Sequence, residues 1–136
     1  MTPLVLAARR YLGVRFVHRG RLPHKLDCVG LVWRAYRDCG RDVPCPADYG
    51  REPNLPRFMG VIEGALGPSI GTGDLQPGDV VTLRTANHPH HLAIVGDYPG
   101  GLLSLIHASG EHGRVVEHRL SPEYLDRIVT VHRSPP

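Results

Sequence analysis

The hydrophobic residues of this chain change their spacing at Gln76-Pro77-Gly78, and this change limits the folds open to it. Before this point the apolar residues recur every three or four positions, which is the spacing of a helix that buries one face. After it they alternate over short runs separated by turn residues, as in strands. Helices first and a meandering antiparallel sheet afterwards predict an α+β domain, with N-terminal helices packed on a sheet of about five strands.

Three helices are predicted in the first part of the chain. An N-cap residue followed by proline opens a helix over residues 3–12, and a glycine follows its end. The second helix begins at Cys28, with Asp27 as its N-cap, and ends before Gly40. One further helix is expected near residues 56–65, within a long stretch rich in proline and glycine.

Five segments are predicted to form the sheet: residues 79–83, 91–96, 102–107, 115–119 and 128–132. Ser121-Pro122-Glu123 opens a short helix between the last two. A chain of 136 residues, 41% of them hydrophobic, has the size of one compact domain with a modest core. We therefore expect a single domain over residues 1–136.

The N-terminal segment does not have the pattern of a secretory signal peptide, because its short apolar run precedes the positive charges of Arg9 and Arg10. No stretch approaches the ~20 apolar residues that a membrane-spanning helix needs. We expect a protein that is made in the cytoplasm without a signal peptide and without membrane insertion.

Three cysteines, an odd number, exclude a fully paired disulfide framework and leave at least one free thiol. Cys39 and Cys45 are close enough in sequence to pair. In a reducing compartment we expect both to remain ordinary thiols.

Basic residues are concentrated near the N-terminus, although the net charge of +3 is small. Six of them precede the first acidic residue, Asp27: Arg9, Arg10, Arg15, Arg19, Arg21 and Lys25. This distribution favours an anionic partner. Nucleic acid is not expected, because the basic run lacks the interleaved aromatic residues that stack on bases.

Cys28 is the candidate nucleophile. At the N-terminus of a helix, unpaired N–H groups and the helix dipole stabilise negative charge. We therefore expect its pKa to fall below the ordinary value of about 8.5, so that the thiolate is available. The alternative is a buried structural cysteine, the more common fate of a lone cysteine.

A nucleophilic cysteine needs a base, and the predicted hairpin formed by 91–96 and 102–107 offers two histidines. If the five-residue turn 97–101 closes symmetrically, His91 lies directly opposite His107 on one face of the sheet. His107 would then fix the tautomer of His91, while His91 takes the proton of Cys28. A register shift of one residue would separate the two rings.

Two other interpretations of the histidines remain open. His88, His90 and His91 could be part of a solvated loop, or they could bind zinc together with a cysteine. The sequence has neither a Cys-x-x-Cys pair nor a helical His-x-x-x-His pair to support the zinc site. We expect no metal and no other cofactor.

Four short motifs occur in a characteristic order: Asp27-Cys28-Val29-Gly30-Leu31, Pro77-Gly78-Asp79-Val80, His91-Leu92-Ala93-Ile94-Val95 and Ile106-His107-Ala108. Together they resemble the NlpC family of papain-like cysteine peptidases, and in particular its short phage-associated branch. The resemblance extends over nearly the whole chain, from Ala7 to Val131.

This resemblance implies Cys28 as nucleophile, His91 as base and His107 as the third polar residue. It also implies hydrolysis of an amide bond in the peptidoglycan stem peptide, often between D-glutamate and a diamino acid. The free carboxylates of such peptides would suit Arg19, Arg21 or Lys25. The candidate substrate-binding residues are these three together with Phe16 and Asp27.

The sequence departs from the family pattern at two positions: Val29 replaces the usual Ser, and Phe16 replaces a Tyr found near the oxyanion site of many relatives. One hydroxyl donor would then be missing. The phage-type relatives imply a virion component at the tail tip, with tail-tip or hub proteins as partners, that acts in the bacterial cell wall. The alternatives are a structural tail-tip protein without useful turnover, and an amidase or acyltransferase of the same fold.

Overall fold

The computed structural model describes residues 2–43, 55–84 and 91–133. Within these ranges the elements are α1 (Pro3–Arg9), β1 (Arg15–Phe16), β2 (Arg21–Leu22), β3 (Lys25–Leu26), α2 (Cys28–Asp38), α3 (Leu55–Leu66), β4 (Val80–Leu83), β5 (His91–Tyr98), β6 (Leu102–Ser109), β7 (Arg114–Arg119), α4 (Pro122–Arg127) and β8 (Ile128–His132). A 3₁₀ turn, Pro99–Gly101, joins β5 to β6. The predicted α+β class is confirmed.

The strands form a single sheet in the order β2-β3-β1-β7-β6-β5-β4-β8. The five predicted strands correspond to β4 through β8, and neighbouring strands among them are all antiparallel. The expected count of about five is wrong, because β1, β2 and β3 extend one edge of the sheet and β1 runs parallel to β3. Strands of two residues are too short to show an alternating pattern in sequence.

The sheet buries both of its faces. One face carries Leu92, Ile94 and Ile106, which pack with the buried residues of α1 and α2. The other carries Ala93, Val95 and Leu105, which pack with Ile128 and Val131 of β8 and with Tyr124 of α4. Because side chains alternate along a strand, each strand of the central meander contributes to both layers.

The helices begin where the sequence predicts. The hydroxyl of Thr2 accepts a hydrogen bond from the N–H of Val5 at the start of α1. This helix ends at Arg9 rather than at residue 12, because the next N–H groups bond to carbonyls three residues back and tighten the chain into turns. Helix α2 agrees with the prediction at both ends, and α3 agrees to within one residue.

The β5–β6 hairpin has a different register from the predicted one. Ile94 lies opposite Ile106 and Val95 opposite Leu105, so His91 is not directly opposite His107. The strands continue to Tyr98 and from Leu102, which leaves a connection of three residues rather than five. This changes the pairing by two residues, and a change of two leaves every side chain on its expected face.

The Pro77-Gly78-Asp79 turn leads directly into β4, as expected. Gly78 has a φ of +95°, which an L side chain rarely adopts. The carboxylate of Asp79 is buried, accepts a hydrogen bond from the N–H of Gln76 and forms an ion pair with Arg133 at 2.8 Å. The turn therefore joins the start of β4 to the chain that follows β8.

The loop before α2 crosses the first turn of this helix at two glycines. A Cβ atom placed on Gly30 would clash with the carbonyl oxygen of Gly20. A Cβ atom on Gly20 would in turn lie 2.5 Å from the carbonyl oxygen of Lys25. The glycine of the Asp27-Cys28-Val29-Gly30 motif is thus needed because backbone, rather than a flexible side chain, lies against it.

We predict that Gly30→Ala lowers the free energy of unfolding by about 1–3 kcal/mol, as is typical of overpacking. The control is Gly64→Ala in α3, where the added methyl group meets, among the residues that the structure describes and outside the adjacent helix backbone, no atom within 4 Å. There alanine is expected to leave stability unchanged or to raise it by up to ~1 kcal/mol. Urea unfolding of both variants checks this, and equal stability of Gly30→Ala and the wild type would contradict the crossing.

Candidate active site

Cys28 is the first residue of α2, and its sulfur lies at the start of β5. The backbone N–H groups of Leu92 and Val29 hydrogen-bond the sulfur. The Leu92 N–H belongs to the peptide bond that joins it to His91, the first residue of β5. The sulfur therefore lies at the end of β5 that begins with His91.

The surroundings of the Cys28 sulfur favour the neutral thiol over the thiolate. Burial raises its pKa to about 12, and the carboxylate of Asp27 acts in the same direction. The N–H groups of Leu92 and Val29 and the charge of Arg21 act against this rise without overcoming it. The expectation of a lowered thiol pKa is therefore wrong.

His91 and His107 are joined by a hydrogen bond, as the sequence predicts. Nε2 of His91 lies 2.6 Å from Nδ1 of His107, and both residues are buried, at 7% and 3% exposure. The rings meet edge to face, with centroids 4.8 Å apart. The contact is diagonal across β5 and β6 rather than direct, and it survives the change of register because the two rings keep the same face.

His107 remains uncharged down to acidic pH. Burial lowers its pKa to about 2, and the neighbouring rings of His91, His118 and His112 add to this effect. A neutral imidazole donates one hydrogen bond and accepts another. His107 therefore suits the orientation of His91 rather than the storage of a positive charge.

His118 is a member of the cluster that the sequence analysis missed. Its Nε2 lies 2.8 Å from Nε2 of His107, and its Nδ1 lies 2.9 Å from the carbonyl oxygen of Arg119. His107 pairs with Val116 on β7, so position 118 is diagonal to it on the same face. Applying the same-face rule to the next predicted strand, 115–119, would have identified this residue.

The carboxylate of Asp27 is buried and holds the start of α2 together with the basic loop. It accepts hydrogen bonds from the N–H of Gly30 at 2.8 Å and the N–H of Arg19 at 2.9 Å. It also forms an ion pair with the guanidinium of Arg21 at 2.8 Å. The observed contacts of Asp27 are structural, and its predicted contact with substrate stays a prediction.

The other predicted substrate-binding residues surround this anchor. Arg19, with a φ of 61°, and Lys25 are exposed, whereas Arg21 points toward Asp27. Phe16 is half-buried on β1, and a Cβ atom on Gly110 would lie 3.6 Å from its ring. Its phenyl ring offers no hydrogen-bond donor.

Several alternatives fall partly or wholly outside the described ranges. His88, His90 and Cys45 are among the residues not described, so the zinc interpretation and the Cys39–Cys45 pair stay untested. Among residues 2–43, 55–84 and 91–133, no group of three or more His, Cys, Asp or Glu side chains is arranged to hold a metal ion. In the same part of the chain, no helix has the length and apolar character to cross a membrane.

A cavity of about 520 Å³ lies near the C-terminal end of α2, where Tyr36, Cys39 and Arg133 contribute to its lining. Cys28 is at the opposite end of this helix. The cavity is therefore separate from the cluster of Cys28 and the histidines.

Comparison with solved structures identifies the fold. A protein from Bacillus cereus ATCC 10987 of the NlpC/P60 family is similar with a TM-score of 0.69 and 21% identity, over 98% of this chain and 40% of that one. The NlpC/p60 domain of the peptidoglycan hydrolase SagA gives 0.67 and 21%, over 97% of both chains. The peptidoglycan hydrolase RipB of Mycobacterium tuberculosis gives 0.58 and 16%, over 96% of this chain and 62% of that one.

The chain thus spans the whole SagA domain but only 40% of the Bacillus cereus protein. No curated protein matches the chain at a significant level. The model of the NlpC/P60 family, however, matches residues 13–134, which include Cys28 and all three clustered histidines. The chain belongs to the NlpC/P60 family.

Proposed function

We propose that the chain is a cysteine peptidase that hydrolyses an amide bond of the peptidoglycan stem peptide, with Cys28 as nucleophile, His91 as base and His107 orienting that base. The observation that carries the proposal is the buried, hydrogen-bonded pair of His91 and His107. The N–H of Leu92, the residue after His91, acts on the Cys28 sulfur, which supports it. Two of the similar structures are peptidoglycan hydrolases, which supports this substrate class.

The reaction begins with transfer of the thiol proton from Cys28 to His91, because the resting thiol is neutral. The sulfur attacks the substrate carbonyl, and backbone N–H groups at the start of α2, including that of Cys28, hold the resulting oxyanion. His91 then gives its proton to the leaving amine, and a thioester remains. Water deprotonated by His91 attacks the thioester and restores the thiol.

His107 supports both proton transfers through its 2.6 Å hydrogen bond to His91. Its neutral ring accepts from the N–H of His91 and stabilises the imidazolium that forms when His91 is protonated. Burial of the pair excludes water that would otherwise compete for the same nitrogen atoms.

The substrate would carry carboxylates, as stem peptides containing D-glutamate and a diamino acid do. Arg19 and Lys25 are exposed cations on the loop that α2 follows, and they suit such groups. Arg21 is placed differently, because its guanidinium already binds Asp27. We propose cleavage between D-glutamate and the diamino acid on the strength of the family resemblance.

A phage tail tip is the proposed location, with tail-tip or hub proteins as partners and the bacterial cell wall as the site of action. This proposal rests on the resemblance to phage-associated relatives. Mass spectrometry of purified virions tests it, and absence of the chain from the particles would refute it.

We predict that Cys28→Ala abolishes cleavage of defined stem peptides, while Cys39→Ala keeps wild-type turnover. Each variant removes one thiol. Cys28 is the first residue of α2, whereas Cys39 follows the C-terminal end of the helix. Mass spectrometry of the products measures turnover and identifies the bond that is cut. If the folded wild type cuts no stem peptide or intact peptidoglycan, the alternative of a structural tail-tip protein is favoured.

We predict that Lys25→Glu raises KM for stem peptides about tenfold with little change in kcat, as loss of one charge-assisted hydrogen bond would do. Arg10→Glu is the matched control, because it makes the same charge change on the side of the molecule near Cys39. Steady-state kinetics on both variants decide the matter. Unchanged KM in Lys25→Glu would remove this residue from the substrate site.

A further inference from the structure

We propose that His118 is a positioning residue that sets the tautomers of His107 and His91 and thereby keeps Nδ1 of His91 unprotonated, as a base that accepts the Cys28 proton there must be. The three rings form a chain of hydrogen bonds across β5, β6 and β7. The inference rests on the proposed function, since it assigns a role within the same site.

The donor–acceptor direction of these hydrogen bonds is set at His118, the outermost of the three rings. Nδ1 of His118 lies 2.9 Å from the carbonyl oxygen of Arg119. A carbonyl oxygen only accepts hydrogen bonds, so the proton of this contact belongs to Nδ1 of His118. In the neutral ring the other nitrogen, Nε2, then carries a lone pair and accepts.

The contact with His118 also determines which nitrogen of His107 carries the proton. Nε2 of His107 lies 2.8 Å from Nε2 of His118, so His107 donates this bond and carries its proton on Nε2. Since the buried ring of His107 is neutral, its Nδ1 has no proton. This Nδ1 accepts from Nε2 of His91 at 2.6 Å.

His91 therefore carries its proton on Nε2, and in the neutral ring its Nδ1 has no proton. Only this tautomer is able to take the Cys28 proton at Nδ1 while its Nε2–H stays bonded to His107. In the opposite arrangement His107 carries its proton on Nδ1 and donates to His91. The proton of His91 then occupies Nδ1, and the base is blocked.

Packing holds the outer ring in place. The ring of Tyr124, from α4, lies 4.6 Å from that of His118 and 6.1 Å from that of His107. His118 is half-buried on β7, next to the pair with 3% and 7% exposure. If His118 served only to pack, any aromatic ring of similar size against Tyr124 would replace it. A ring without a hydrogen-bond acceptor therefore separates packing from the setting of the tautomers.

The test uses two substitutions at position 118. His118→Phe keeps an aromatic ring beside Tyr124 but removes the acceptor for His107. His118→Gln restores an acceptor, because its side-chain carbonyl oxygen reaches the position of Nε2. His112→Phe is the control, since its ring is 6.5 Å from that of His118 and bonds to Ser109 instead.

Two readouts are measured at about pH 8, where ordinary histidines are neutral. The ¹⁵N chemical shifts of the imidazole nitrogens report which nitrogen of His91 and His107 carries the proton. Steady-state kinetics on a stem peptide separate kcat from KM, and thermal unfolding confirms that each variant folds. If the wild type proves inactive, the proposed function fails, whereas the ¹⁵N shifts still decide the arrangement of protons.

We expect Nε2 protonation of both His91 and His107 in the wild type. In His118→Phe we expect a loss of this single arrangement and a fall in kcat of about 10- to 100-fold with unchanged KM. His118→Gln and His112→Phe should stay within a few-fold of the wild type. Nδ1 protonation of His107 in the wild type, unchanged kcat in a folded His118→Phe, or equal losses in His118→Phe and His118→Gln would overturn the proposal.

Discussion

The site depends on the buried carboxylate of Asp27. This one group caps α2 through the N–H of Gly30, fixes the loop through the N–H of Arg19 and neutralises its own charge with Arg21. These contacts offset the loss of the carboxylate's hydration. Because Cys28 is the next residue, the position of this proposed nucleophile follows directly from the anchor.

Two opposing electrostatic effects meet at Cys28, and burial is the larger. A rise of the thiol pKa from 9 to about 12 corresponds to about 4 kcal/mol against the thiolate. A helix N-terminus typically contributes only ~0.3–1 kcal/mol in favour of a negative charge. The carboxylate that anchors the helix also disfavours the thiolate, so the same group that positions Cys28 favours its protonated form.

The capped start of α2 and the contact between His91 and His107 were predictable from local rules, whereas the exact pairing of β5 with β6 was not. The cap at Asp27, the start of α2 and the face shared by His91 and His107 all follow from sequence periods and capping preferences. The register failed because the length of the 3₁₀ turn at Pro99–Gly101 is set by backbone geometry that composition does not reveal. His91 and His107 still meet because the observed pairing differs from the predicted one by two residues, and a shift of two leaves each ring on its expected face.

The features that sequence did not predict depend on contacts between distant segments. The strands β1, β2 and β3 form because the loop before Cys28 lies along the edge of β7 and pairs with itself, and two residues carry no recognisable pattern. His118 required the pairing of β6 with β7 as well as that of β5 with β6. The rise of the Cys28 pKa reflects enclosure by residues far apart in the chain, which a helix-end argument alone omits.

The claim that Cys28 rests as a protonated thiol with a raised pKa is tested most directly by the pH dependence of its alkylation in the folded protein. Reaction with iodoacetamide is followed at this residue by peptide mass spectrometry between about pH 6 and pH 10, with the urea-unfolded chain as reference for an ordinary thiol of pKa about 8.5. We predict that the folded-state rate keeps rising through this whole interval and stays below that of the unfolded chain. A rate that is already maximal and independent of pH near neutrality would show a preformed thiolate and contradict it.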